Sequence, residues 1–253
     1  MIDLSDQVAL VTGGSRGVGA ATARMLARAG AAVAFTFRER KESADAVVAD
    51  IEKMGGKSFP IQADVADEES NRQAVVQAKD QYGRLDMLVL NAGVWPEDDV
   101  AVESMDDTRW RRTLAVNLDG VFYGVRAAGG IMNDGGRIVI VSSTAGQRGE
   151  AFHADYAATK GAVNAFVKSV AVELAPKVNV NAVAPGWIDT EMSRRPYERD
   201  GGAGRVNIAR GIPLGRIATA EDVAGPILFL CSPLARHVTG EILNVNGGAV
   251  LCG

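Results

Sequence analysis

The sequence predicts an α/β protein in which a parallel sheet carries helices on both faces, and three observations lead there. Short apolar runs alternate with longer segments of helical period along the chain, from Val8-Ala-Leu-Val to Ile242-Leu-Asn-Val. Several runs, such as Met87-Leu-Val-Leu and Ile138-Val-Ile-Val, are apolar without alternation, which suits strands buried on both sides. The first run ends in the turn Gly13-Gly-Ser-Arg-Gly-Val-Gly before an alanine-rich segment, and strand, glycine turn, helix is the first half of a βαβ unit.

The elements follow in order. A strand from Val8 meets the glycine turn, Ala20 to Ala29 reads as a helix closed by Gly30, and Ala32 to Phe37 is the second strand. A helix from Lys41 to Met54 closes on Gly55-Gly56, and a third strand, Ser58 to Gln62, leads to Asp64-Val65. Glu68 to Tyr82 is helical, and the buried strand Met87 to Leu90 ends at Asn91-Ala-Gly. A long helix through Trp110 to Met132 precedes the strand that ends at Ser142. The helix carrying Tyr156, the strand from Val178 to Val183, a helix from Glu221 to Leu230 and the strand Ile242 to Val245 complete the pattern. Between Trp187 and Arg216 the pattern breaks: Pro196, Gly201, Gly202, Gly204, Gly211 and Pro213 punctuate a polar, charged stretch. It is too long for an ordinary connection and too irregular for a helix. Following a strand's carboxyl end, it reads as a substrate-binding lid at about 187–216. The chain, 1–253, reads as a single domain without internal repeats.

At 253 residues, 47% hydrophobic and 23% charged, the chain has the size of a single α/β domain with one large core. A net charge of -4 supplies no basic field for nucleic acid or an anionic membrane. Cys231 and Cys252 lie far apart without ligand-like spacing, and with two histidines in the chain no metal site is expected. No apolar window reaches the length of a membrane span, and Met1 to Asp6 lacks the build of a signal peptide. Reduced thiols and a cytoplasmic location are the expectation.

Chemistry concentrates in Ser142 to Lys160. Tyr156 and Lys160 are four residues apart on a predicted helix and so share a face. An ammonium beside a phenol pulls the hydroxyl down from its reference pKa of about 10, which would make Tyr156 a usable general acid. Ser143 stands at the carboxyl end of a predicted strand, where open α/β sheets bind ligands. The glycine turn departs from G-x-G-x-x-G, yet Gly13, Gly17 and Gly19 let backbone N–H groups approach a pyrophosphate at a helix N-terminus. At the end of the second strand, where an acidic residue would take a ribose 2′-OH, the chain has Phe37 and Arg38. Arg38 and Arg16 suit a 2′-phosphate instead, favouring NADP over NAD, although two solvated arginines are the plainer reading.

Together Thr12-Gly-x-x-x-Gly-x-Gly19, Asp64-Val65, Asn91-Ala-Gly, Asn117, Ser143, Tyr156-x-x-x-Lys160, Pro185-Gly186 and Thr190 stand at the spacing of the short-chain dehydrogenases/reductases. The resemblance runs from Val8 to Thr239-Gly-x-x-x-x-Val-x-Gly-Gly248, and the chain is most similar to NADPH-dependent 3-oxoacyl-(acyl-carrier-protein) reductases. It implies a doubly wound, Rossmann-type sheet of seven strands and a homotetramer built partly from the Trp110 and Tyr156 helices. It also implies that Tyr156 protonates a carbonyl oxygen held by Ser143, chosen over Ser142 for its interval to Tyr156. Lys160 would hold the nicotinamide ribose and lower the Tyr156 pKa, and Asn117 would anchor a water feeding protons to Lys160. The cofactor would lie along Gly13, Ser15, Arg16, Gly17, Val18 and Gly19, with Phe37, Arg38, Asp64 and Val65 toward the adenosine phosphate and adenine. Asn91, Ala92 and Gly93 would follow, and Pro185, Gly186, Ile188 and Thr190 would meet the nicotinamide. Trp95 and His153 would line the substrate pocket with Ser143 and Tyr156.

An acidic carrier protein needs a basic docking patch, but the turn before the Ser142 strand reads Met132-Asn-Asp-Gly-Gly, with Arg126, Arg137 and Lys177 as the nearby charges. A 3-oxoacyl thioester is the leading substrate, and an alcohol, polyol or small ketone the rival. A dinucleotide-binding protein without turnover is the third reading, and intact Ser143, Tyr156, Lys160 and Asn117 argue against it.

Overall fold

Runs of Val, Ile, Leu and Ala offer no polar side chain to either face of a sheet, so they are stable only between two covering layers. In the computed structural model, which describes residues 2–252, that is where they lie. β1 (Val8–Val11) leads into α1 (Gly17–Arg28), β2 (Ala32–Phe37) into α2 (Lys41–Lys53), and β3 (Lys57–Gln62) into α3 (Glu68–Tyr82). β4 (Met87–Leu90) is followed by α4 (Asp107–Leu114) and α5 (Gly120–Gly129), and β5 (Gly136–Val141) by a short α6 (Ala145–Arg148) and a long α7 (Ala154–Leu174). After β6 (Val178–Pro185) come α8 (Arg194–Glu198), α9 (Ala203–Arg210), α10 (Ala220–Cys231) and β7 (Ile242–Val245).

Among the described residues all seven strands form one parallel sheet in the order β3-β2-β1-β4-β5-β6-β7. Successive strand residues point to opposite faces. Val8 and Leu10 join a core with α3, α5 and α7, while Ala9 and Val11 join another with α1, α2 and α10. Strand order reverses between β1 and β4, and a crevice opens there beyond the strands' carboxyl ends.

Three expectations change. α1 starts at Gly17 rather than Ala20, so the glycine turn runs directly into helical N–H groups. The long helix predicted to run through Trp110 to Met132 is divided: α4 and α5 flank a π-helical turn, Ala115–Asp119, and the segment ends at Gly129, where Gly129-Gly130 weakens helix formation. The 187–216 stretch, expected to be irregular, holds α8, α9 and two 3₁₀ turns, Glu191–Ser193 and Arg199–Gly202. Pro196 is tolerated because α8 is little more than one turn, and left-handed Asp200, Gly201 and Gly202 separate it from α9. Tyr197, Ile212 and Ile217 give this stretch a small core of its own, backed by Trp187 and Ile208. Among the described residues no helix is long and apolar enough to cross a membrane.

Candidate active site

The glycine turn is stapled to the neighbouring strands through one threonine and one asparagine. The Thr12 hydroxyl accepts from the Asn91 and Ala92 N–H groups, each at 3.0 Å, and the Asn91 amide donates back to the Thr12 carbonyl at 2.9 Å. Gly13 sits at φ +65 and donates to the Thr36 hydroxyl at 3.0 Å. A Cβ on Gly19 would lie 2.2 Å from the Gly13 carbonyl oxygen, so only glycine lets α1 pack this close to its own turn. α3 and α10 carry side-chain caps from Asp67 and Thr219, whereas α1 begins without a side-chain cap or an acidic residue in its first turn. Its leading N–H groups therefore face the crevice, ready for an anion.

This crevice is a cleft of about 420 Å³, and it gathers nearly all the residues singled out in the sequence. Gly13, Ser15, Arg16, Gly17 and Val18 line one end with Phe37, Arg38, Asp64 and Val65; Asn91, Ala92 and Gly93 line the middle. Ser143, Tyr156, Lys160, Trp95, Pro185, Gly186, Ile188 and Thr190 line the other end. Gly19 and Asn117 stand behind the wall and shape it.

Ser142 and Ser143, adjacent at the end of β5, separate cleanly. The Ser142 hydroxyl is buried and donates to Asn164 Oδ1 at 2.6 Å, tying β5 to α7. Ser143 Oγ accepts from the Ala145 N–H at 3.1 Å and neighbours the Tyr156 phenol. A Cβ on Gly146 would lie 2.4 Å from the Lys160 carbonyl carbon, so glycine here lets α6 press against α7 and brings the serine end of β5 to the Tyr156 face. Beside Tyr156, Asp155 anchors α7 to α4: it accepts from Thr113 at 2.8 Å and pairs with Arg109 at 3.1 Å.

The structure corrects the electrostatics expected of the pair. Burial dominates at Tyr156 and pushes the phenol up, to about 12, with Ser143 pulling it down and the Glu150 charge pushing it further up. Lys160 does not lower it in this geometry, because Nζ lies 5.7 Å from the ring centroid and donates to the Val141 carbonyl at 2.8 Å. Burial brings Lys160 itself down to about 8. A buried ammonium whose folded pKa lies below its unfolded value opposes folding below about pH 8, and that penalty fades as pH rises toward 10.5. Lys160→Met should accordingly raise Tm at pH 7, by a stability gain of at most about 3 kcal/mol, and the gain should shrink by pH 10; thermal melts of both proteins across this range check it.

Asn117 lies behind the cleft wall. Its side chain is fully buried in the π-helical turn, with Oδ1 accepting from the Val94 N–H at 2.8 Å and Nδ2 donating to the Val94 carbonyl at 2.8 Å and toward Thr159 Oγ1 at 3.4 Å. The amide pins the loop after β4. His153, expected to line the substrate pocket, is instead buried behind it. It is 2% exposed, its Nε2 lies 2.9 Å from the Pro96 carbonyl, and its ring stacks behind Trp95 at 4.3 Å. Trp95 faces the cleft; His153 supports it.

Sequence reasoning missed several cleft residues. Arg40, two beyond Arg38, carried a legible signal in the run Arg38-Glu-Arg; it pairs with Glu191 at 2.6 Å, and Arg16 pairs with the same carboxylate oxygen at 2.7 Å. Glu150, hydrogen-bonded by Trp95 Nε1 at 3.3 Å, and Trp187, edge-on to Trp95 at 6.2 Å, shape the substrate end and had no local signature.

A family model described as enoyl-(acyl carrier protein) reductase matches residues 13–250. A short-chain dehydrogenase/reductase from Serratia marcescens superposes with a TM-score of 0.91 at 39% identity, covering 97% of this chain and 98% of that one. The chain belongs to the short-chain dehydrogenase/reductase family. It is similar to a 3-oxoacyl-[acyl-carrier-protein] reductase of Synechocystis sp., 40% identical over 99% of this chain and 100% of the relative. A short chain dehydrogenase of Burkholderia cenocepacia, solved in complex with NADP, superposes with a TM-score of 0.90 at 37% identity, covering 97% of this chain and 98% of that one. This short-chain dehydrogenase/reductase is an oxidoreductase of carbonyl and hydroxyl groups that works with a nicotinamide cofactor, and its seven-stranded doubly wound sheet is the one its motifs imply.

Proposed function

We propose that the protein is an NADPH-dependent ketoreductase whose leading substrate is a 3-oxoacyl thioester. The observation that carries this reading is one cleft holding an uncapped helix N-terminus and an arginine cluster at one end and the Ser143, Tyr156 and Lys160 side chains at the other. Those residues fit a dinucleotide. The α1 N–H groups and the glycine turn suit its pyrophosphate, Asp64 and Val65 its adenine, Arg16, Arg38 and Arg40 its 2′-phosphate, and Ile188 and Thr190 its nicotinamide amide. When bound, reduced nicotinamide supplies the hydride.

The chain's own residues handle the proton. Ser143 donates a hydrogen bond to the carbonyl oxygen and sets its position, and Tyr156 gives that oxygen a proton as charge develops on it. A phenol held protonated well above neutral pH is in the right form for reduction, and the reverse reaction needs phenolate. Lys160, whose Nζ lies 2.8 Å from the Val141 carbonyl, would hold the ribose hydroxyls of a bound cofactor and pass a proton toward Tyr156. Asn117, whose side chain is held by Val94 and Thr159, would anchor a water that feeds protons to Lys160.

The 187–216 stretch acts as the lid. It clasps the opposite wall through exposed ion pairs, Arg195 with Asp98 and Arg199 with Asp99, beside the substrate end. Trp95 and Trp187 offer apolar surface for an acyl chain. Docking of an acyl carrier protein has weaker support, since Arg126 is paired with Glu68 at 2.5 Å and Arg137 turns onto the carbonyls of Gly135 and Gly136. A polyol or small ketone is the rival substrate, for which the Glu150 carboxyl in the same pocket speaks. Turnover of 3-oxoacyl-coenzyme A, a carrier-linked 3-oxoacyl group, a sugar ketone and a small ketone, followed by NADPH absorbance, ranks them.

A homotetramer is part of the same reading. Trp110, Phe122 and Val172, on α4, α5 and α7, are exposed at 38%, 41% and 78%, placing apolar surface on the helices assigned to the interface. Light scattering should give four times the mass of one chain; a monomer at working concentration would remove the assembly from the proposal.

A further inference from the structure

The Glu191 carboxylate sits where a phosphate would be expected. One oxygen, Oε2, accepts from Arg16 Nη1 at 2.7 Å and from Arg40 Nη1 at 2.6 Å. Arg16 caps the glycine turn, Arg40 follows the end of β2, and Glu191 opens the first turn of the lid; all three line the cofactor end of the cleft with Arg38. Arg38 is engaged separately, with Glu39 at 2.6 Å. Glu191 thus bridges the glycine turn, the segment after β2 and the lid, and it does so with the charge and the acceptor geometry of an anionic ligand.

We propose that Glu191 is an internal competitor for the cofactor 2′-phosphate, and that it sets how strongly the enzyme distinguishes NADPH from NADH. The inference rests on the reading that the arginine cluster takes a 2′-phosphate. A phosphate monoester carries a charge of about -1.5 to -2 and three acceptor oxygens, so it outbids a single carboxylate for the same guanidinium groups. Two anions cannot share them at hydrogen-bond distance without repulsion. NADPH therefore binds by exchange: the phosphate takes Arg16 and Arg40, and Glu191 swings out, releasing the first turn of the lid from the cofactor wall. NADH, which carries a hydroxyl there, leaves the carboxylate in place and can donate to it. The same residue lowers affinity for one cofactor and not for the other.

A plain scaffold role, in which Glu191 pre-positions Arg16 and Arg40 for the phosphate, predicts the opposite sign, and this makes the idea testable. Glu191→Gln keeps the shape of the side chain and removes its charge. Exposed ion pairs of this kind contribute modestly, so the expected gain is about three- to tenfold in affinity for NADPH, read by the fluorescence of the reduced nicotinamide, with NADH affinity unchanged or weakened. Calorimetry with adenosine 2′,5′-bisphosphate and adenosine 5′-phosphate isolates the phosphate. The wild type should bind the bisphosphate more tightly, and Glu191→Gln should widen that difference. In an Arg16→Gln, Arg40→Gln background the Glu191→Gln effect should vanish, because the groups competed for are gone. If the wild type binds both nucleotides equally, the arginine cluster is not a phosphate site and the inference falls with that reading. If the wild type discriminates but Glu191→Gln weakens NADPH, or shifts both cofactors alike, the phosphate reading stands and the competitor role is wrong.

Discussion

Tyr156→Phe should reduce kcat for carbonyl reduction by roughly a hundred- to ten-thousandfold, with NADPH affinity within about twofold of the wild type. The substitution deletes one hydroxyl and keeps the ring, so α7 and its packing survive. What disappears is the proton donor at the serine end of β5. Loss of acid catalysis with retained binding separates transition-state chemistry from ground-state contact. The shift of the phenol to about 12 sharpens the expectation, since it keeps a proton at neutral pH on the group that neighbours Ser143. Rapid-mixing kinetics together with a fluorescence titration checks both halves. A variant that keeps most of its kcat would move the acid elsewhere, with the Glu150 carboxyl, which burial raises, as the nearest substitute.

Cofactor choice should show the second large effect. kcat/KM with NADPH should exceed that with NADH by roughly tenfold or more, because each charge-assisted hydrogen bond to a 2′-phosphate contributes about 1.5 to 3 kcal/mol before ordering costs, and about 1.4 kcal/mol is tenfold. These side chains are exposed, Arg16 at 51%, Arg38 at 43% and Arg40 at 53%, so solvent screens each one and the sum of several is needed. Phe37→Asp with Arg38→Ile installs a ribose partner and removes one phosphate partner, which should bring the ratio near or below unity. Adding Arg40→Gln should complete the reversal, since the structure shows a third arginine that the pair alone leaves in place. Steady-state kinetics with both cofactors on each variant measures it; equal use of both by the wild type would reduce the cluster to solvated surface charge.

The parts of this molecule that were legible in the sequence are those set by short-range rules. Buried strands announced themselves as apolar runs, and β7 and α3 fall on the predicted residues because their ends carry local signals, such as the Asp67 cap of α3, which accepts from Ser70 at 2.7 Å. Ser143, Tyr156 and Lys160 were readable as a spacing, and the fold brings them to one wall of one cleft. What escaped depends on tertiary context. The π-helical turn around Asn117 conserves helical composition while changing the ladder, so periodicity cannot see it. The Tyr156 shift reverses sign because burial, a property of the packed chain, outweighs a lysine whose ammonium is drawn to Val141. His153 lies three residues before Tyr156 but turns onto Pro96, and Glu191 meets Arg16 only because the lid folds back across the sheet end.

The central claim is that this cleft reduces a carbonyl with NADPH, and following absorbance of NADPH against a panel of 3-oxoacyl thioesters, sugar ketones and small ketones tests it most directly. The account predicts substrate-dependent oxidation of NADPH, fastest with a 3-oxoacyl thioester and abolished in Tyr156→Phe. Tight binding of NADPH without turnover of any carbonyl compound in the panel would contradict it.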